Sequence, residues 1–188
     1  MTHEHRDLDP TWTAQTVAVQ AGRPVRVPGA GVNPPVHLSA TYLHETEVGY
    51  GRDGNIGWSA LEEALGALDG GTSVTFASGL AAATAIADLV PTGGTVVLPT
   101  VAYFGVRNVV ERMEQRGRLT IRRADPDDTD AVLAAADGAD VVWVESIANP
   151  LIAVADVPAI AAGARERGAI TVVDATFATP LRQRPLDL

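Results

Sequence analysis

From Gly70-Gly71 onward the chain alternates between two kinds of segment. Short β-branched runs occur at 73–77 (SVTFA), 95–99 (TVVLP), 119–123 (LTIRR), 140–145 (DVVWVE) and 169–174 (AITVVD). Ala-rich stretches with helical spacing separate them, which is the rhythm of a mostly parallel α/β sheet flanked by helices. The runs are apolar on both faces, as strands covered on each side must be. Ahead of them, Ser59 with Glu62 three positions on predicts a capping box that opens a helix with Leu61, Leu65 and Leu68 on one face. Earlier still come an irregular Pro- and Gly-rich stretch from Gly22 to Pro35, the segment HLSATYLH and a glycine-punctuated loop from Gly49 to Gly57. The pattern therefore predicts an extended N-terminal arm over residues 1–58 and one α/β unit over 59–188.

Composition narrows the function classes. A chain of 188 residues with 46% hydrophobic content can bury one domain's core. Its 23 acidic residues against 14 basic ones give a net charge of −9. That balance argues against non-specific nucleic-acid binding and against docking on anionic membranes, leaving small molecules and proteins as partners. All 14 basic residues are arginine, and the sequence contains no lysine. The absence of cysteine removes disulfides, thiolate metal sites and thiol nucleophiles. No apolar run reaches membrane length and the opening MTHEHRDLDP has no apolar signal region, so a cytoplasmic protein is expected.

In parallel α/β sheets ligands bind beyond the carboxyl ends of the strands, so the residues following each run are the candidates for chemistry. After SVTFA, the turn Ser78-Gly79-Leu80 leads into AAATAIADL. Backbone N–H groups and the helix dipole make that turn a phosphate site, or else Ser78 is simply a helix cap. After TVVLP, Tyr103 places an aromatic ring that either packs internally or stacks on a flat heterocycle. Asn149-Pro150 follows DVVWVE, and Asp174 ends the last run, just before Thr176. A strand-end carboxylate of this kind serves as a turn aspartate or holds a pyridinium nitrogen protonated.

A phosphate turn, an aromatic, an Asn-Pro loop and a strand-end Asp, in that order, resemble the fold-type I pyridoxal-phosphate enzymes, and within them the cystathionine γ-synthase and γ-lyase (Cys/Met metabolism) family. The resemblance runs from about Thr16 to Leu188, through QAGRPVRVPGAGVNPPVHLSATY and GYGRDGN, and covers roughly the first half of a member. It implies an incomplete large domain of that fold. It also implies that Tyr50 and Arg52 of the arm reach the cofactor phosphate of an adjoining subunit, and that Ser78, Gly79 and Leu80 hold phosphate within this chain. By the same resemblance Tyr103 stacks on the ring and assists proton movement, Asn149 lies by the ring's 3-oxygen, and Asp174 pairs with the ring nitrogen. Thr176 is carried over as a cofactor-site position, while Glu145 matches a motif position without an assigned role.

Three departures weaken any assignment of reaction subtype. Ile56-Gly57 follow Asn55 where the family has Pro-Thr, Ile147 stands where a Pro is common, and Ala175 stands where Asn is frequent. The family's Ser-x-Thr-Lys segment, whose lysine forms the Schiff base, has no counterpart here. No arginine can replace that lysine, because it stays cationic, and the α-amine of Met1 lies at the tip of the arm. The chain by itself is therefore expected not to hold the cofactor covalently. Three readings compete. One is a split enzyme whose partner chain, corresponding to the C-terminal half, carries the lysine in a dimer of heterodimers. The others are a non-catalytic binding or regulatory module, and a truncated fragment. A half-sheet of this kind also leaves an open edge and uncovered apolar faces, so the isolated chain is expected to be aggregation-prone. An amino acid bearing a β- or γ-leaving group would be the substrate.

Other motifs carry less. Gly49 to Gly54 fits G-x-G-x-x-G but follows the polar LHETEV rather than a buried strand, which argues against a dinucleotide site. His3 and His5 lack further ligands in their segment, and no metal site is expected. His37 and His44 have no partner visible in the sequence. Ser78-Gly79 lacks the nucleophile elbow of a serine hydrolase. The acidic run Asp125 to Asp130 reads as a solvated loop and helix start.

Overall fold

The computed structural model describes residues 8–43 and 49–188. His3, His5, His44 and most of the LHETEV segment lie outside them. The chain divides into two compact units, one up to Thr75 and one from Phe76 to Leu188.

Among its described residues the first unit contains two helices. Helix α1, Ala14–Gln20, is capped by Thr13, and α2 spans Ile56–Asp69. The sequence pattern predicts no helix at α1 and places the start of α2 at Ser59, four residues beyond its observed cap. Asn55 is the true cap: its side chain accepts from the Gly57 N–H at 2.8 Å. Ser59 lies inside the helix, and Glu62 makes no capping box; its Oε1 accepts from Thr75 N at 2.8 Å and from Thr75 Oγ1 at 2.9 Å. Ala60 is the buried residue of α2, whereas the expected core residue Leu61 is half exposed. Gly22, at φ +70, follows α1 so closely against α2 that a Cβ there would lie 2.1 Å from the Ala60 carbonyl oxygen. Thr41 and Tyr50 form an isolated antiparallel bridge, supported by Gly51 N donating to Ala40 O at 2.7 Å.

The second unit is the expected parallel α/β arrangement. Its strands are β1 (Gly94–Pro99), β2 (Leu119–Ala124), β3 (Val141–Glu145) and β4 (Ile170–Asp174), in the spatial order β2-β1-β3-β4 and all parallel. The run at 73–77 forms no strand. It has no ladder partner among the described residues, and Val74 and Phe76 are exposed. A β-branched run without a neighbouring edge to pair with has no reason to close into a sheet.

Helices α3 (Gly79–Asp88), α4 (Phe104–Gln115), α5 (Thr129–Ala135) and α6 (Val157–Glu166) complete the unit, with a short 3₁₀ turn at Pro185–Asp187. Period-two alternation sends Val96, Leu98, Val141 and Trp143 to one face, where they pack with Ala87 of α3 and Val106 and Val110 of α4. Val97, Val142 and Val144 point to the other, against Val132 of α5 and Val157, Ile160 and Ala164 of α6. Every residue of β3 is buried, which explains its continuous apolar run. The acidic run behaves as read: Asp128 caps α5 by accepting from Ala131 N at 2.9 Å, and Asp130 sits in the first turn.

From β1 the chain crosses through α4 to β2 on one side. After α5 it returns to β3, beyond β1, and continues outward to β4. The direction of winding reverses between β1 and β3, which makes the crevice beyond their carboxyl ends the topological switch point.

Candidate functional site

The residues after β1 and β3 flank that crevice. β1 runs into Thr100 and on to Tyr103, the residue that precedes α4; its own side chain makes no capping bond there. The Tyr103 ring lies back over Gly105, where an added Cβ would come within 2.6 Å of the ring's Cε1. The ring also contacts Phe104, with centroids 4.8 Å apart and planes tilted by 59°. Tyr103 remains 36% exposed, so one part of the ring is available to a ligand.

The same added Cβ would lie 3.3 Å from Leu80 Cδ1, which brings the start of α3 beside the start of α4. Ser78 caps α3 with its Oγ accepting from Ala81 N at 3.1 Å, as the capping alternative required. That bond leaves the phosphate alternative intact, because a cap satisfies only part of a helix's set of free N–H groups. Gly79 stands open at the start of the helix. A Cβ there would meet nothing within 4 Å, and the residue does not occupy the left-handed region. Neither packing nor backbone conformation asks for glycine at this position, and the space beside the helix start is open.

At the end of β3, Glu145 is buried, 3% exposed, and bridges two loops. Its Oε1 accepts from Tyr103 N at 2.6 Å and its Oε2 from Asn149 N at 3.1 Å. Burial raises its pKa above the ordinary 4.5; the two N–H bonds oppose that shift and the charge of Asp174 adds to it. Asn149 is followed by a cis peptide bond to Pro150. Glu145 is the register partner of Asp174 on β4. Thr176 donates from both its N–H and its hydroxyl to Asp174 Oδ1, at 3.0 and 2.5 Å. The second oxygen of Asp174 has no hydrogen-bond partner among the described residues. Asp174 is thus held as a turn aspartate through one oxygen, while its other oxygen accepts nothing among the described residues.

By strand alternation Trp143 and Val172 face the α3/α4 side, so Glu145 and Asp174 do as well. Ser78, Gly79, Leu80, Tyr103, Asn149, Asp174 and Thr176 therefore belong to one end of one unit. Tyr50 and Arg52 lie in the first unit, where the Arg52 guanidinium carbon sits 4.9 Å from the Tyr50 ring centroid. Glu145 matched a motif position in the sequence without an assigned role, and the structure shows the contacts it makes. A charged residue closing a fully apolar strand was the available signal, since buried carboxylates are held by specific donors.

These residues fit a phosphorylated, cationic heterocycle: an open helix start for the phosphate, an aromatic face, and a carboxylate with a free oxygen. Among the described residues no helix is long and apolar enough to cross a membrane, and no group of three or more acidic or histidine side chains is placed to hold a metal ion.

Comparisons with known proteins agree with the geometry. Residues 15–188 match the sequence profile of the family described as "Cys/Met metabolism PLP-dependent enzyme". Cystathionine gamma-synthase of Mycobacterium bovis is 37% identical over 183 residues, 92% of this chain and 47% of that protein. Cystathionine gamma-lyase of Dictyostelium discoideum is 35% identical over 181 residues, again 92% of this chain and 47% of that protein. The crystal structure of metB from Corynebacterium glutamicum superimposes with a TM-score of 0.87 at 29% identity, covering 96% of this chain and 49% of that one. The chain spans about half the length of the relatives it matches.

Proposed function

Because the chain belongs to the Cys/Met metabolism family of PLP-dependent enzymes, we propose that it supplies the phosphate, ring-face and ring-nitrogen parts of a pyridoxal-phosphate site. The lysine of that site, absent from these 188 residues, comes from a complementary C-terminal-half chain. The assembly acts on an amino acid with a leaving group at its β- or γ-carbon, by elimination or replacement. Its location is cytoplasmic and its expected form is a dimer of heterodimers.

The single observation that carries this reading is the open Gly79 at the start of α3, on the same sheet face as Asp174. Bound pyridoxal phosphate supplies an electron sink for the pair left when the substrate's α-proton departs. The chain's own residues determine how well that sink works. The N–H groups of Gly79 and Leu80 fix the phosphate with the help of the α3 dipole. Tyr103 covers one ring face and excludes water from it. Asn149 hydrogen-bonds the ring's 3-oxygen. Asp174 uses its free oxygen to keep a proton on the ring nitrogen, while Thr176 holds the other oxygen still. Tyr50 and Arg52, paired within the first unit, add cationic and phenolic donors for the phosphate of an adjoining copy.

The test is co-purification of the tagged chain with a polypeptide carrying a Ser-x-Thr-Lys segment, followed by borohydride reduction and mass mapping. A pyridoxal-phosphate adduct on that lysine, in a stoichiometric complex, is expected. Recovery of neither complex nor adduct would refute the split-enzyme reading and leave a fragment or a binding module.

A further inference from the structure

Glu145 is the buried carboxylate that the proposed site does not use, and it stands between the loops that build the site. Burying a carboxylate costs several kcal/mol unless hydrogen bonds compensate. A position that needed only filling would carry an apolar side chain, as Val141 to Val144 do on the same strand. What distinguishes this position is two N–H groups converging from different segments, Tyr103 after β1 and Asn149 after β3. An ionised carboxylate is an acceptor at both oxygens and presents no donor. Glutamine at the same length would turn its NH₂ group against one of the two N–H groups.

The hydrogen bonds also cross the switch-point crevice. The β1–β3 ladder pairs Val96 with Val141 and Val97 with Val142 and stops short of the loops at the carboxyl ends. Glu145 extends that tie by a side chain to the loops that follow both strands. We propose that Glu145 is a positioning residue: its two oxygens clamp the Tyr103 and Asn149 backbones at a fixed separation, so that both side chains meet the same cofactor ring. The proposal rests on the pyridoxal-phosphate reading above and adds a residue and a role to it.

The test uses the full chain, together with its lysine-bearing partner where co-purification recovers one, as wild type, Glu145→Gln and Glu145→Ala. Amide hydrogen exchange reads the clamp, and pyridoxal-phosphate titration reads the site. Induced circular dichroism of the bound cofactor reads ring orientation, which a simple loss of stability does not alter. In Glu145→Gln, exchange should quicken at one of Tyr103 and Asn149, and in Glu145→Ala at both. Affinity should fall about tenfold, corresponding to roughly 1.4 kcal/mol, with a changed dichroic signal. Unchanged exchange at both amides would overturn the clamp. Faster exchange with unchanged affinity and dichroism would reduce Glu145 to a loop brace and overturn the positioning role. A wild type that binds no pyridoxal phosphate, while its amide protection still depends on Glu145, would sink the functional reading and this proposal with it. That outcome is distinct from failure of the clamp in a cofactor-binding wild type.

Discussion

Substitution of Ser78 separates the two jobs assigned to the start of α3. Its Oγ caps the helix through Ala81 N at 3.1 Å, and the first turn carries no acidic residue. Ser78→Ala removes the cap and should cost about 1 kcal/mol of stability. With a urea dependence of roughly 1–3 kcal/mol/M, that moves the unfolding midpoint down by about 0.3–1 M. Ser78→Asp keeps an acceptor at the cap and adds a negative charge at the positive end of the dipole, which should hold stability level or raise it by about 0.3–1 kcal/mol. For a phosphate-bearing ligand the same charge is unfavourable. Like charges at about 4 Å repel by roughly 1 kcal/mol in water and about 4 kcal/mol at an effective dielectric of 20. Affinity for pyridoxal phosphate should therefore drop at least about fivefold, while affinity for unphosphorylated pyridoxal stays near that of wild type. Fluorescence titration with both compounds, beside urea unfolding, makes the comparison. A well-folded Ser78→Asp chain that binds pyridoxal phosphate as tightly as wild type would refute the placement of the phosphate at this turn.

Four further outcomes are expected. Gly79→Ala, whose Cβ enters open space, should leave the urea midpoint within about 0.5 kcal/mol of wild type yet weaken pyridoxal-phosphate binding; equal binding would remove the main support for the site. Gly105→Ala forces the Tyr103 ring off its seat, since Cβ would lie 2.6 Å from Cε1, and should alter tyrosine near-ultraviolet dichroism and cofactor affinity together. Asp174→Ala in the assembled enzyme should sharply reduce turnover, and an unchanged rate would take Asp174 out of the site. Burial raises the Glu145 carboxyl above its ordinary 4.5, so the folded chain holds that proton more tightly than the unfolded one. The stability this contributes is present at low pH and lost as pH rises from 4.5 through the raised value. Wild type should accordingly gain stability relative to Glu145→Gln as pH is lowered across that window, and a pH-independent difference in urea unfolding would contradict it.

The parallel unit was legible because its central strands, β1 and β3, are buried on both faces. Val141 to Glu145 and Val96 to Pro99 leave no polar alternation that another fold could use. The same signal misled at 73–77, where Val74 and Phe76 are as β-prone as any but find no partner edge; propensity marks a segment that suits a sheet, and pairing requires a neighbour. Asn55 displaced Ser59 as cap of α2 because a helix start depends on which side chain reaches a free N–H. Asn55 Oδ1 reaches Gly57 N, so the chain turns helical four residues early. Helix α1 carries no acidic first turn and no buried residue, which left little in its sequence to mark it. Among the candidate site residues, those at strand ends were readable from position alone, since the order of strands and helices dictates where their carboxyl ends lie. Glu145 was not, because its role comes from two backbone N–H groups 42 and 4 residues away.

The two adjacent carboxylates at the ends of β3 and β4 follow from the same logic. Register places Glu145 beside Asp174 on one face, and two such charges repel unless something divides their roles. The structure divides them by burial and by donors. Glu145 spends both oxygens on backbone N–H groups inside the crevice wall, whereas Asp174, half-buried, spends one on Thr176 and keeps one for a ligand. A cation arriving at Asp174 also relieves the repulsion that helps raise the Glu145 carboxyl. Binding of a protonated ring should thus lower the Glu145 pKa and tighten the hold on Tyr103 and Asn149. Amide exchange at those two residues should slow on addition of pyridoxal phosphate in wild type, and the slowing should be absent in Asp174→Asn. Equal slowing in both would show that the two carboxylates act independently.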